Sequence, residues 1–325
     1  INLKSKKHII NINKKSSYYF YKKNQTYVLN VILNSLSKYV GVIYPGKNSI
    51  IKGININFNK KFNFTQKKMT FFSDKLDSRF PLINNKVAFE KYIVEFQTLE
   101  RPVLKQKKIK IETKIKKLLK NINNNILIIG ASTGVGYELL NIFKNNKKIK
   151  IIATYNKNRI LIKKKNIQVK KIDLNTSASM FALERIIKKN KHLSIYYFAT
   201  PKIDINSKTK NDYKMYENFY INYPLKILSY AKNLRIKFFY PSTIFVNNSQ
   251  SYYADAKKRA EKIMKKLKNK NHNINILRID EVNTKQNLSL FNKNLPSFLN
   301  LLNYNKNYQE KVFFTNVEWF YEFKY

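Results

Sequence analysis

Glycine is scarce in this chain, with six in 325 residues, yet Gly130, Gly134 and Gly136 fall within seven consecutive positions. An apolar run, residues 126–129, precedes them. A helical pattern follows, with Leu139, Leu140, Ile142 and Phe143 apolar. Glycine is kept where a Cβ does not fit, because φ is positive or another backbone approaches closely. A strand, a tight glycine turn and a helix N-terminus make a cradle for a nucleotide pyrophosphate. The first helical amides point at the ligand, and the helix dipole favours its charge. The pattern predicts that Gly130, Ser132, Thr133, Gly134, Val135 and Gly136 line a dinucleotide site.

The remaining composition sets the class. At 43% hydrophobic and 14% aromatic residues, the chain can bury substantial cores, and its length accommodates two domains. No apolar run approaches a membrane span, and no signal-peptide pattern opens the sequence. With no cysteine present, these features lead to the expectation of a cytoplasmic protein without disulfides or cysteine-bound zinc. The first residue is Ile1 and not Met, so the chain is expected to be trimmed or partial. The net charge is +45, but the lysines are spread over every predicted element. Lys, Asn, Ile, Tyr and Phe are abundant while Gly, Ala, Pro and Arg are few, the composition of an AT-rich genome. Nucleic acid is therefore not the expected partner, although such charge attracts acidic partners and coenzymes. His8, His192 and His272 are far apart in sequence, with no carboxylates at ligand spacing, so no metal site is expected.

Periodicity divides the chain. Before residue 103, apolar residues at helical spacing (27–40) are followed by alternating, strand-like segments at 50–58, 68–72 and 86–98. Residues 104–121 read as a basic linker with a short helix. From 122 to 325, predicted strands at 126–129, 150–154, 167–172, 194–199, 235–240 and 274–278 alternate with helices, notably 180–189, 216–233 and 253–268. This order predicts an α/β fold, a Rossmann-type doubly wound parallel sheet that takes ligands at its carboxyl edge. A smaller α+β domain (1–103) precedes it. The aromatic run from Val312 through Phe313, Phe314 and Trp319 to Tyr321 is expected to be a packed tail.

Other residues fall where such a fold places chemistry. After the second strand of the sheet, Tyr155, Lys157 and Arg159 occur with no acidic residue to hold a ribose 2′-hydroxyl. They favour a 2′-phosphate, hence NADP, with NAD the alternative. Asp173 and Leu174 follow the third strand at the adenine position. Ala199 and Thr200 follow the fourth, beside the nicotinamide half. Tyr253 and Lys257 lie one helical turn apart on one face. An ammonium there is expected to lower the phenol's pKa, so that the tyrosine exchanges a proton with an alcohol oxygen. Ser242 is expected to hydrogen-bond the same oxygen, and Asn222 to hold a water relaying protons to the lysine. With 23 tyrosines in the chain, a Tyr-x-x-x-Lys match occurs by chance. Its place, opening a helix behind a serine and the fifth strand, is what selects this one.

Taken in order, the glycine turn, Asp173, Asn222, Ser242, Tyr253 and Lys257 resemble the short-chain dehydrogenase/reductase family over about residues 122–285. The resemblance implies Tyr253 as acid/base, Lys257 as its activator, Ser242 as the substrate-oxygen partner and Asn222 as the relay. Phe198-Ala199-Thr200-Pro201 departs from that family's Asn-Asn-Ala-Gly. Tyr240-Pro241-Ser242-Thr243 resembles its extended, epimerase-like branch, so the reaction subtype stays open. Upstream, Leu36 to Gly41, Tyr44-Pro45-Gly46-Lys47-Asn48, Asp77-Ser78-Arg79-Phe80 and Glu100-Arg101-Pro102 resemble a hot-dog domain of the thioester-dehydratase type. A small α+β cap is the alternative. Such dehydratases need an Asp and a His, and His8, the one histidine of this region, stands early and isolated, so a binding or dimerising domain is expected, with acyl dehydration the lesser alternative. The two resemblances together imply a 3-oxoacyl thioester substrate, free or carrier-bound, of fatty-acid or polyketide type, and a homo-oligomer. A nucleotide-sugar epimerase or dehydratase and a non-catalytic scaffold remain as alternatives.

Overall fold

The computed structural model describes residues 6–11, 25–46, 49–57, 68–75, 81–89, 92–100, 110–203, 209–232, 234–247, 251–268, 273–284 and 295–315. The chain divides into two compact units, Ile1–Leu104 with Leu288–Lys293 and Lys105–Asn287 with Asn294–Tyr325. Lys47, Asn48, Phe58, Asp77, Ser78, Arg79, Phe80, Arg101, Pro102, His272, Trp319 and Tyr321 lie outside the described residues.

In the first unit, strands β1 (Lys6–Asn11), β2 (Ile50–Asn57), β3 (Lys68–Asp74), β4 (Leu82–Phe89) and β5 (Tyr92–Leu99) form an antiparallel sheet of order β1-β3-β4-β5-β2. Helix α1 (Gln25–Lys38) runs into a π-helical turn, Tyr39–Ile43. Period-2 alternation turns Met69, Phe71, Val87, Val94 and Phe96 to one face, where they bury Ile32, Leu36, Tyr39 and Val40. The segment predicted as one strand at 86–98 is instead a hairpin, β4 and β5. β1 escaped prediction because its lysines and asparagine dilute the apolar alternation. A polar row crosses this core. The Tyr39 hydroxyl donates to Ser73 Oγ (2.7 Å), Ser73 donates to Asn85 Oδ1 (2.5 Å), and Asn85 Nδ2 donates to Thr98 Oγ1 (2.9 Å). All four residues are buried, and each bond offsets the cost of taking a polar atom out of water.

The second unit holds six parallel strands: β6 (Asn125–Ile129), β7 (Ile151–Tyr155), β8 (Ile167–Lys171), β9 (His192–Tyr197), β10 (Arg235–Thr243) and β11 (Asn273–Ile279). Their order, β8-β7-β6-β9-β10-β11, reverses direction between β6 and β9. That is the Rossmann arrangement, with its crevice at the carboxyl ends of the two central strands. Alternate β6 residues feed two cores. Ile126 and Ile128 pack with α3 (Gly134–Phe143), α8 (Phe298–Tyr304) and α9 (Lys306–Phe313). Leu127 and Ile129 pack with α4 (Ser177–Lys188), α6 (Tyr223–Tyr230) and α7 (Tyr252–Lys268). Each buried Ile or Leu contributes about 1.5–3 kcal/mol, which explains why the central strands read as unbroken apolar runs.

Helix α2 (Thr113–Lys120) lies within the stretch read as a linker, but buries Ile115 and Leu119 in the first of these cores and so belongs to the second unit. Val312, Phe313 and Phe314 are buried there as well. The predicted helix 216–233 is interrupted. It comprises α5 (Lys210–Glu217), a π-helical turn Asn218–Asn222, and α6. Pro224 is the cause: it has no N–H to give the carbonyl of Tyr220. The Tyr240 hydroxyl donates to that carbonyl instead (3.0 Å), and Tyr197 donates to the carbonyl of Phe219 (2.6 Å).

Candidate functional site

The glycine turn sits at the carboxyl end of β6, at the point where the strand order reverses. Gly130 has φ +85°, and a Cβ on it would lie 2.6 Å from Ala199 N and 2.7 Å from Phe198 C. Gly134 has φ +61°. A Cβ on Gly136 would collide with the carbonyl oxygen of Gly130. The glycines thus let the turn, α3 and the segment after β9 meet backbone to backbone. Thr154 anchors the turn's base, its Oγ1 accepting from Gly130 N (3.1 Å) and its carbonyl from Ala131 N (2.8 Å). Thr133 is the N-cap of α3 but makes no side-chain capping bond. No N-cap side chain therefore occupies the first amides of the helix, as suits an anion cradle. Ser132, Thr133, Gly134 and Val135 are half-buried around it.

Tyr155 closes β7 half-buried, while Lys157 and Arg159 are exposed beyond it. Asp173 accepts from Asn175 N (3.0 Å) and Asn175 Nδ2 (2.8 Å). Those bonds, with help from Asn156 and the charge of Lys157, hold its carboxyl below the usual range. Leu174 is buried. Thr200 Oγ1 shares a hydrogen bond with the Tyr220 hydroxyl (2.5 Å).

The reactive set is partly rearranged. Lys257 is 6% exposed. Its Nζ donates to the carbonyl of Pro241 (2.6 Å) and lies 4.2 Å from the ring centre of Tyr220 and 4.9 Å from that of Tyr240. Burial pulls its pKa from 10.5 down to about 7, only partly opposed by the charge of Glu261. Tyr253 packs edge-on against Tyr216 and Tyr220, with centroids 6.0 and 5.5 Å away. Its phenol is pushed up by burial, against a hydrogen bond with Thr243. This reverses the direction expected from the sequence. Desolvation is the largest influence on this phenol, and Lys257 is not among the groups that shift it.

The side-chain bond to Tyr253 comes from Thr243, one residue past Ser242. Ser242 Oγ lies buried beside Glu261, at a geometry short of a full hydrogen bond. Asn222 is exposed, its Nδ2 donating to Asn218 Oδ1 (2.8 Å), so its side chain does not join the Lys257 cluster. The π turn has rotated it outward and brought Tyr220 in. The signal for this was Pro224, two residues after Asn222, since a proline inside a helical pattern forces a local rearrangement. Glu261 itself is buried and clamped by Arg278 through Nε (2.9 Å) and NH2 (2.7 Å). In the first unit, His8 packs against the rings of Tyr39 and Tyr44. Among the described residues no cluster of His, Cys, Asp and Glu suits a metal, and no helix is long and apolar enough to cross a membrane.

No family profile matches this sequence, and no curated protein is detectably similar to it. Solved structures are similar in shape over about half of the chain. One is a short chain dehydrogenase family protein from Francisella tularensis subsp. tularensis SCHU S4, with 17% identity and TM-score 0.45, covering 51% of this chain and 72% of that one. Another is a short chain dehydrogenase from Burkholderia cenocepacia J2315 in complex with NADP, with 12% identity and TM-score 0.45, covering 54% and 79%. A third is a thiolation-reductase di-domain from an archaeal non-ribosomal peptide synthetase, with 15% identity and TM-score 0.41. The match covers 52% of this chain but 46% of the di-domain, under half its length.

Proposed function

We propose that this chain is an NADP-dependent reductase of the short-chain dehydrogenase/reductase type that acts on a carbonyl group, a 3-oxoacyl thioester being the preferred substrate class. The observation that carries the reading is the glycine turn at the strand-order reversal, packed against Ala199 so closely that a Cβ at Gly130 would lie 2.6 Å from its nitrogen. Such a bare turn, ahead of a helix with no side-chain cap, fits a dinucleotide pyrophosphate. Lys157 and Arg159, exposed beyond β7, are the cations a 2′-phosphate would meet, with Asp173 and Leu174 on the adenine side and Ala199 and Thr200 on the nicotinamide side. NADPH, when bound, supplies the hydride. The protein's own part is proton delivery and orientation. Because burial raises the Tyr253 phenol, it is protonated at neutral pH and is in the right state to give its proton to a substrate oxygen. Thr243, bonded to the phenol, is the hydroxyl at hand to orient that oxygen, the part the resemblance gives to Ser242. Lys257, near the middle of its titration at neutral pH, can resupply the proton.

The first unit supports a hot-dog reading through its strand order and the helix inserted between β1 and β2. That pairing of units is what favours acyl thioesters, free or on an acidic carrier drawn by the +45 charge. A homo-oligomer is part of the same proposal. The test is direct: purified protein is mixed with NADPH and a 3-oxoacyl thioester while cofactor absorbance is followed. Turnover abolished by Tyr253→Phe supports the reading. Tight NADPH binding with no turnover on any carbonyl leaves a binding role, and no NADPH binding removes the reading altogether.

A further inference from the structure

We propose that Tyr220 is a positioning residue that links the cofactor side of the crevice to Lys257, its ring covering the ammonium and its hydroxyl tethered to Thr200. The inference rests on the proposed reductase site and adds to it a residue that the sequence pattern gave no reason to choose. Lys257 Nζ donates a hydrogen bond to the Pro241 carbonyl and lies over the aromatic rings of Tyr220 and Tyr240 at 4.2 and 4.9 Å. An ammonium over an aromatic face is stabilised, and more so where water is absent. The titratable groups facing it are Tyr220 on the π turn, Tyr240 on β10 and Glu261 on its own helix α7, and Tyr216 on α5 and Tyr253 on α7 pack in turn against the Tyr220 ring. Glu261 already serves Arg278, and the tyrosines are neutral, so dryness dominates the lysine's environment.

Tyr220 controls that dryness. It is 1% exposed, and its backbone is fixed because the Tyr240 hydroxyl holds its carbonyl at 3.0 Å. Its side chain is fixed at the other end by Thr200. Thr200 follows Ala199, whose nitrogen packs on Gly130. A ligand seated at the turn therefore meets Thr200 before it meets Lys257, and Tyr220 spans the gap between them. A shift of that ring changes both the solvation of the ammonium and its aromatic contact.

The experiment follows the 13Cε signal of Lys257 against pH in the full-length chain, assigned by its disappearance in Lys257→Arg. Wild type, Tyr220→Phe and Tyr220→Leu are compared, with near-UV circular dichroism to verify folding. The wild-type midpoint is expected near pH 7. Tyr220→Phe keeps the ring and is expected to stay within about half a pH unit. Tyr220→Leu gives up the aromatic contact but admits water, and because dryness dominates here the midpoint is expected to rise by at least about one unit, a tenfold change in proton affinity. A folded Tyr220→Leu that titrates like wild type overturns the proposal. So does a wild-type midpoint above about pH 9, which decides the matter even if the leucine variant does not fold. Saturating NADPH should move the wild-type midpoint upward. No movement with a ligand that binds overturns the link to Thr200. Failure of NADPH to bind, with the variant pattern intact, defeats the cofactor reading and leaves Tyr220 as the cover of Lys257.

Discussion

Replacing Lys257 by methionine tests the energetics of the site most sharply, because its effect on stability must depend on pH. In the folded protein the lysine loses its proton near pH 7, and its ordinary value is 10.5. Between those values the unfolded chain binds one more proton than the folded one, so wild-type stability rises with pH across that window. At about 1.4 kcal/mol per pH unit, the full rise is roughly 5 kcal/mol. At or below pH 7 the wild-type protein carries the entire penalty, and above pH 10.5 it carries none. Methionine has similar length and no charge, but it leaves the Pro241 carbonyl without its donor, at a cost of about 1 kcal/mol independent of pH. The variant should therefore be more stable than wild type by roughly 4 kcal/mol at pH 7, and slightly less stable near pH 10.5. Urea unfolding followed by far-ultraviolet circular dichroism at pH 7, 8, 9 and 10 reads the difference, provided the denaturant slopes agree. Ionisation of other groups is common to both proteins and cancels. A stability difference that stays constant across this range would show that Lys257 titrates normally in the folded protein, and the burial argument would be wrong.

Other consequences can be checked independently. Gly136→Ala presses a methyl group onto the Gly130 carbonyl, which is backbone and cannot rotate away. It should cost about 1–3 kcal/mol and weaken NADPH binding, and an unchanged melting temperature together with unchanged affinity would contradict the close-approach argument. Asn85→Ala removes the centre of the polar row in the first unit and leaves the hydroxyls of Ser73 and Thr98 buried without that partner. A loss of about 2–4 kcal/mol is expected by denaturant unfolding, and a loss below half a kilocalorie would mean that water replaces the amide. Glu261→Gln breaks a two-bond clamp on a buried carboxylate, for about 2–3 kcal/mol at pH 7, reduced because the Arg278 side chain is 40% exposed. Burial raises the Glu261 carboxyl, but the Arg278 bonds outweigh it and hold it below 4.5. The wild-type advantage is thus present above about pH 4.5 and fades on acidification. A gap that widens between pH 7 and pH 4 would refute the assignment.

The parts legible in the sequence were those written in local pattern. Gly130, Gly134 and Gly136 stand out against a glycine-poor chain, and the apolar runs of the parallel strands reflect burial on both faces. Those two features placed the turn and the six-stranded sheet. Strand β1 and the hairpin of β4 and β5 were less visible, since edge strands and half-exposed strands carry lysine and asparagine without loss. The C-terminal helices α8 and α9 were hidden for a similar reason, being short and capped by Ser297 and Asn305 in an asparagine-rich stretch.

What the sequence alone determined is a glycine turn bare of side chains at Gly130, Gly134 and Gly136 and a tyrosine and lysine one turn apart. Which hydroxyl meets Tyr253, and whether Lys257 is charged, were decided by tertiary packing. Pro224 breaks a helix locally, but only contact with Tyr197 and Tyr240 settles how the freed carbonyls are satisfied and which way Asn222 and Tyr220 then face. The physical reason is that a turn is governed by nearest neighbours along the chain. Desolvation, by contrast, is the summed effect of residues far apart in sequence, here Thr200, Tyr220, Tyr240 and Lys257, closing on one point.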